Sequence, residues 1–374
     1  MSEWKKVKLG DVSQYVDDKI AIAATNESYY VSTDSMLKDK GGIIDPESIP
    51  LNGNVTRYQS DDILVSNIRP YFKKIWFSNR EGGCSNDVLV FRAQKYVTPR
   101  YLYYILSSNT FFEHMMAGAN GTKMPRGNKK LIMNYSFELP SLPTQHRIAT
   151  ILSRYDSLIE NYQKQIKLLE EAAQRLYKEW FVDLRFPGHE NTKIVDGLPE
   201  GWEKKKVGDL IAKVPRSKQI PAKDYQKEGM IPIIDQSRDY IAGYTDDIES
   251  KVESNEPYIV FGDHTRVLKY VPFAFAKGAD GTQLIMSNNL DLMPQCLLFT
   301  SLVNIDLSNY SYARHFKYLK EEEIIVPTSL IANVFSKHVA KWYVKIQQNR
   351  EQLRLLTEAR DRLLPKLMSG AIEV

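Results

Sequence analysis

Residues 143–180 read PTQHRIATILSRYDSLIENYQKQIKLLEEAAQRLYKEW. Within them Ile148, Leu152, Tyr155, Ile159, Tyr162, Ile166, Leu169, Ala173, Leu176 and Trp180 alternate in steps of four and three. That is an unbroken heptad stripe, the pattern of a coiled-coil seam. Pro143 suits a first helical turn, where a missing N–H costs little. A core helix in a globular domain rarely keeps a 3.5 period for so long.

Shifting the stripe by 187 positions, so that Pro140 lands on Pro327, gives Phe335, Val339, Trp342, Ile346, Asn349, Leu353, Leu356, Arg360, Leu363 and Leu367. Eight of these ten are apolar. Side-chain sizes favour antiparallel pairing of residues whose numbers add to 515. Trp342 then faces Ala173, and Arg360 faces the Tyr155 ring. Ile159 meets Leu356, Leu169 meets Ile346, and Asn349 lies near Tyr162 and Ile166 as a register device. The expected seam is therefore Ile148, Leu152, Tyr155, Ile159, Ile166, Leu169, Ala173 and Leu176 against Trp342, Ile346, Leu353, Leu356, Arg360 and Leu363.

The repeat extends beyond the helices. Trp4-Lys5-Lys6-Val7-Lys8-Leu9-Gly10-Asp11-Val12 returns, 198 positions on, as Trp202-Glu203-Lys204-Lys205-Lys206-Val207-Gly208-Asp209-Leu210. A globular part followed by a long helix is thus used twice, and the second globular part is shorter. The expected layout is a first globular domain over 1–141, a helix over 142–182 and a linker over 183–201. A second domain over 202–327 and a second helix with tail over 328–374 follow. Each globular part is α+β. Strands are predicted at Ile63–Val65, Lys74–Phe77, Val88–Phe91, Met230–Ile234, Tyr258–Phe261 and Phe273–Ala276. One helix is predicted over Tyr101–Met116, then a flexible basic loop over Gly118–Lys130. Pro365 should end or bend the second long helix and Gly370 close it.

The 374 residues carry 50 Lys and Arg against 46 Asp and Glu, a net charge of +4. This mild excess is compatible with nucleic acid. Cys84 and Cys296 form no ligand spacing and point to a reducing, cytoplasmic setting. No apolar run suggests a membrane span or a signal peptide. The phosphate loop, the dinucleotide fingerprint and the zinc-protease motif are absent, and the six histidines show no metal spacing. Asp263-His264-Thr265-Arg266 has no nucleophile nearby in sequence. No catalytic or metal site is predicted.

Basic residues set among small polar ones on loops are the better signal. Arg and Lys neutralise phosphates, whereas Asn, Gln and Arg can read base edges. The candidates in the first half are Asn67, Arg69, Lys73, Lys74, Thr122, Lys123, Arg126, Asn128 and Lys129. In the second they are Gln236, Arg238, His264, Thr265, Arg266, Lys269, Tyr312 and Arg314. Any one of them could equally be a solvated surface charge. The set, present in both halves, favours double-stranded DNA.

Leu198-Pro199-Glu200-Gly201-Trp202-Glu203 with Val207-Gly208-Asp209 resembles the start of a target-recognition domain in type I restriction-modification specificity subunits. The closing Arg362-Leu363-Leu364-Pro365-Lys366-Leu367-Met368-Ser369-Gly370 is similar to the same family. So are Pro140, Pro143 and Gln145 at the first junction, and Leu176–Phe181 at the helix exit. The second junction, Val326-Pro327-Thr328, lacks the Gln. The resemblance implies two recognition domains separated by two antiparallel helices, each domain reading one half of a bipartite DNA site. It implies docking of two methyltransferase subunits, which carry S-adenosylmethionine and methylate adenine. A restriction subunit using ATP and Mg can join them. No cofactor would reside on this chain. The competing readings are a stand-alone DNA-binding regulator, a nuclease or methyltransferase fused to the scaffold, and a coiled-coil adaptor without DNA contact.

Overall fold

The computed structural model describes residues 4–25, 29–121, 123–310 and 314–374. The chain forms two compact units. The first comprises Met1–Ile159 with Arg354–Val374, and the second Glu160–Leu353. These limits differ from the domain layout expected from sequence, because each unit contains part of both long helices.

In the first unit, the strand Ile63–Ser66 is buried along its whole length, between antiparallel neighbours Ile75–Phe77 and Val88–Ala93. Side chains on a strand alternate between faces. Ile63, Val65, Leu89 and Phe91 therefore enter one core, whereas Leu64, Val88 and Val90 enter another with Tyr58 and Met36. Ser13–Tyr15 completes this four-stranded sheet beside Val88–Ala93. A second four-stranded sheet holds Lys19–Ala21, Asn54–Tyr58, Gly82–Cys84 and Tyr30–Val31.

The second unit uses the same device. Tyr258–Gly262 lies between Leu268–Val271 and Thr282–Ile285. Ile259 and Phe261 feed one core and Val260 another. The repeat extends to both unit entrances. Lys5–Lys8 pairs with Ser136–Leu139, and Glu203–Lys206 with Glu323–Val326. In each case the second strand leads directly into a long helix.

Those helices run over Leu142–Tyr177 and Ser329–Met368. None of the twenty stripe positions is exposed, and Ile148, Leu152, Ala173, Phe335 and Val339 have no accessible surface. Within the second unit Asn349 donates to Gln165, while Phe335 packs its ring on Tyr177, Trp180 and Phe181. Partner numbers fall as residue numbers rise, so the helices pair antiparallel there. Within the first unit Ile148 and Leu152 share a core with Leu364 and Leu367.

Each unit ties its helix pair to its globular part through an arginine. Arg360 reaches Asp156 at 3.0 Å, and the other oxygen of Asp156 accepts the Tyr104 hydroxyl at 2.6 Å. Arg350 reaches Glu170 at 2.8 Å and lies 4.0 Å over the Tyr240 ring. The expectation that the Tyr155 ring takes Arg360 is thus corrected. The carboxylate one residue on takes the cation, because it can return a full charge inside a buried site.

Other expectations also change. The single helix over Tyr101–Met116 is two, Pro99–Leu106 and Asn109–Ala117. Ser107 donates back to the Tyr103 carbonyl, and Ser108 caps the second helix by accepting from the Phe111 amide. The first long helix widens to a π turn over Lys178–Val182. The second continues through Pro365 to Met368, beyond which Gly370, at φ +70°, lies against the Trp4 ring.

The missing junction Gln has a structural replacement. Fully buried Gln145 accepts from the Thr98 amide and donates to the Tyr96 and Pro140 carbonyls. In the second unit Gln295 accepts from the Ser287 amide and donates to the Ile285 carbonyl. The same carbonyl-and-amide pair, two residues apart, is bonded from a different element. Gln145→Leu should lower stability by about 1–3 kcal/mol, the cost of stranding buried backbone groups. The urea unfolding midpoint measures it, and an unchanged midpoint would remove this role.

Candidate DNA interface

In the first unit the two basic loops meet. Residues 67–74 leave the central strand Ile63–Ser66 and run against 118–130. Arg69 N–H donates to the Pro125 carbonyl at 2.8 Å and Gly127 N–H to the Asn67 carbonyl at 3.2 Å. Ile68 and Asn120 both bridge to Arg126. The loop, expected to be flexible over Gly118–Lys130, is therefore held by backbone hydrogen bonds at Asn120, Pro125, Arg126 and Gly127. Gly127 permits the close approach, since a Cβ there would lie 2.8 Å from Asn67 Oδ1.

The candidates divide by environment. Lys123, Arg126 and Lys129 are exposed, with Arg126 held 3.1 Å from Asp87. Lys73 donates to Asn109 Oδ1, and Lys74 to the Thr33 carbonyl. Asn128 is a helix cap, its Oδ1 accepting from the Lys130 and Leu131 amides. Asn67 is buried and serves the loop junction through its backbone. Arg69 is half-buried, in a left-handed conformation with φ +49°. Thr122 lies outside the described residues.

In the second unit three turns are fused around Gln236. Its Oε1 accepts from the His264 amide at 3.1 Å, and its Nε2 donates to the Asp280 carbonyl at 2.9 Å. Its own carbonyl accepts the Thr265 hydroxyl at 2.6 Å. Gly281, at φ +76°, has no room for a Cβ beside His264 and Gln236. Around this pin Arg238, His264, Thr265, Arg266 and Arg314 are exposed. Arg266 also donates to the Leu307 carbonyl. Asp263 is buried and accepts from the Phe316 amide, so it is a structural anchor. Tyr312 lies outside the described residues.

Lys269 is a correction. It is 4% exposed, and its amine donates to the Asp235 and Asp239 carbonyls. Burial pushes that amine down to about 8. Its charge is committed to fixing the 235–239 turn and is not offered to a phosphate. Sequence reasoning passed over that clamp, as it did Asp87, which anchors both Arg126 and the Asn67 amide. Among the described residues no three His, Cys, Asp or Glu side chains could hold a metal ion. No described helix is long and apolar enough to cross a membrane.

Each unit therefore presents exposed cations and polar side chains on turns pinned to the central strand of its own sheet. Residues 1–171 match the model of the type I restriction modification DNA specificity domain. The chain is 30% identical over 305 residues to the MjaIX specificity subunit of Methanocaldococcus jannaschii, covering 74% of this chain and 70% of that one. It is 23% identical to the HindI specificity subunit of Haemophilus influenzae, over the full length of both. Its fold is like that of a type I restriction-modification S subunit from M. genitalium, with a TM-score of 0.62 at 15% identity, covering 98% of this chain and 96% of that one. The chain belongs to the family of type I restriction enzyme specificity subunits.

Proposed function

We propose that this chain is the DNA-recognition subunit of a type I restriction-modification complex, with each globular part reading one half of a bipartite site. The observation that carries the reading is duplication of the candidate interface. Residues 67–74 and 118–130 form one cationic loop cluster, and 235–239, 262–266 and 278–281 form another, each pinned within its own unit. A protein reading one continuous site needs only one such cluster. The long helices, antiparallel tandem elements, set the spacer between the half-sites and receive two methyltransferase subunits. S-adenosylmethionine, and ATP with Mg where a restriction subunit joins, are bound by those partners, and catalysis is theirs.

Exchange of residues 1–141 for the matching part of another specificity subunit tests this. In a binding selection on random duplexes one half-site should change, while the other half-site and the spacer stay. A change in both half-sites would defeat the modular reading.

A further inference from the structure

The turn from Arg69 to Lys73 has more support than a surface loop needs. Arg69 and Lys73 both sit at φ +49°, a region that residues other than glycine seldom occupy. Between them Pro70–Phe72 forms a single 3-10 turn. Backbone bonds hold the turn on several sides. Arg69 donates to Pro125, Phe72 to Arg69, and Lys73 to Pro70, while the Phe72 and Lys73 carbonyls accept from Asp39 and Lys40. Phe72 is the base of the assembly. Lys38 lies 4.4 Å over its ring and Lys74 5.9 Å from it. The Tyr71 ring packs on Phe72 at 4.6 Å and remains 47% exposed. Strained backbone persists where its surroundings over-determine it, and it clusters at ligand contacts.

We propose that Tyr71 is an aromatic wedge that stacks on a base of the half-site read by the first unit. The inference rests on the proposed DNA-reading function and assigns a contact to a residue outside the cationic and amide set. The Arg69 and Lys73 cations flank the ring in sequence and can engage phosphates while the ring meets a base face. Stacking of this kind needs no base-edge hydrogen bond. Inserted side chains unstack flexible pyrimidine–purine steps most easily, so the wedge contributes sequence preference through deformability.

The test uses the full-length chain, assembled with its methyltransferase partners, and duplexes recovered by selection. 2-Aminopurine is placed in turn at each position of the half-site assigned to residues 1–141. Apart from any rise at the adenine that the methyltransferase partner extrudes, which does not depend on Tyr71 and is set aside, the wild type should give a fluorescence rise at one further step. Tyr71→Phe should keep both signal and affinity, because the ring is retained. Tyr71→Ala should abolish the signal and weaken binding by about 5- to 150-fold, the range for losing one base–aromatic stack. An unchanged signal and affinity in Tyr71→Ala would overturn the wedge. So would a Tyr71→Phe variant as defective as Tyr71→Ala, which would make the contact a hydroxyl one. If the wild-type assembly bound no bipartite duplex, the recognition function would fall, and the wedge with it.

Discussion

Asp156→Ala should destabilise the first unit by about 3–5 kcal/mol, the typical cost of removing one partner from a buried ion pair. The Arg360 guanidinium is enclosed, with only 8% of the residue exposed, and it draws on two carboxylates. Asp156 lies at 3.0 Å with its side chain 14% exposed, whereas Asp361 is 44% exposed and shared with Lys40. Without Asp156, Arg360 keeps only the better-hydrated carboxylate, and the Tyr104 hydroxyl loses its acceptor. The double variant Asp156→Leu with Arg360→Met should recover most of the loss, since an apolar pair of similar volume carries no stranded charge. Urea unfolding of the two variants and the wild type decides the matter. A single variant within about 0.5 kcal/mol of wild type would mean that Arg360 is solvated in solution.

Changing Lys123, Arg126, Arg238 and Arg266 together to Ala should collapse DNA binding at physiological salt. Each phosphate contact releases counterions and contributes about 0.9 to the slope of log affinity against log salt. Four lost contacts would lower that slope by up to about 3.6. Titration at several salt concentrations separates this from a folding defect, which would lower affinity without that change of slope. Arg126 and Arg266 also bond Asp87 and the Leu307 carbonyl, but the backbone bonds and the Gln236 amide that pin the turns stay in the variant, so the turns should keep their form. A full salt slope in the quadruple variant would show that other groups neutralise the phosphates.

The helices were legible because a heptad stripe reports burial directly, as the twenty stripe positions show. Charged partners were less so. Tyr155 and Asp156 are neighbours on one helix, and periodicity cannot decide which turns toward Arg360. The interruption at Ser107–Ser108 was missed because Tyr101–Met116 keeps helical apolar spacing across it. Only the serine side chains mark the cap. For the candidate site, the sequence picks out basic loops but cannot sort their cations. Lys269 and Arg266 look alike in a basic stretch. Three-dimensional pairing buries the first under the 235–239 turn and leaves the second at a turn in a left-handed conformation. Gln236 looks like a base reader by residue type, yet its amide is occupied at both ends within the protein.

The two glutamines have a genetic consequence. Gln145 belongs to the first long helix, whereas Gln295 belongs to the globular part that precedes the second. A chimera that joined the first globular part to the second helix at the proline junction would inherit neither. One built the other way round would inherit both, with two amides competing for one carbonyl-and-amide pair. Crossovers in the first half of such a gene that keep Gln145 with the domain it locks should therefore give more stable chains than those that part them.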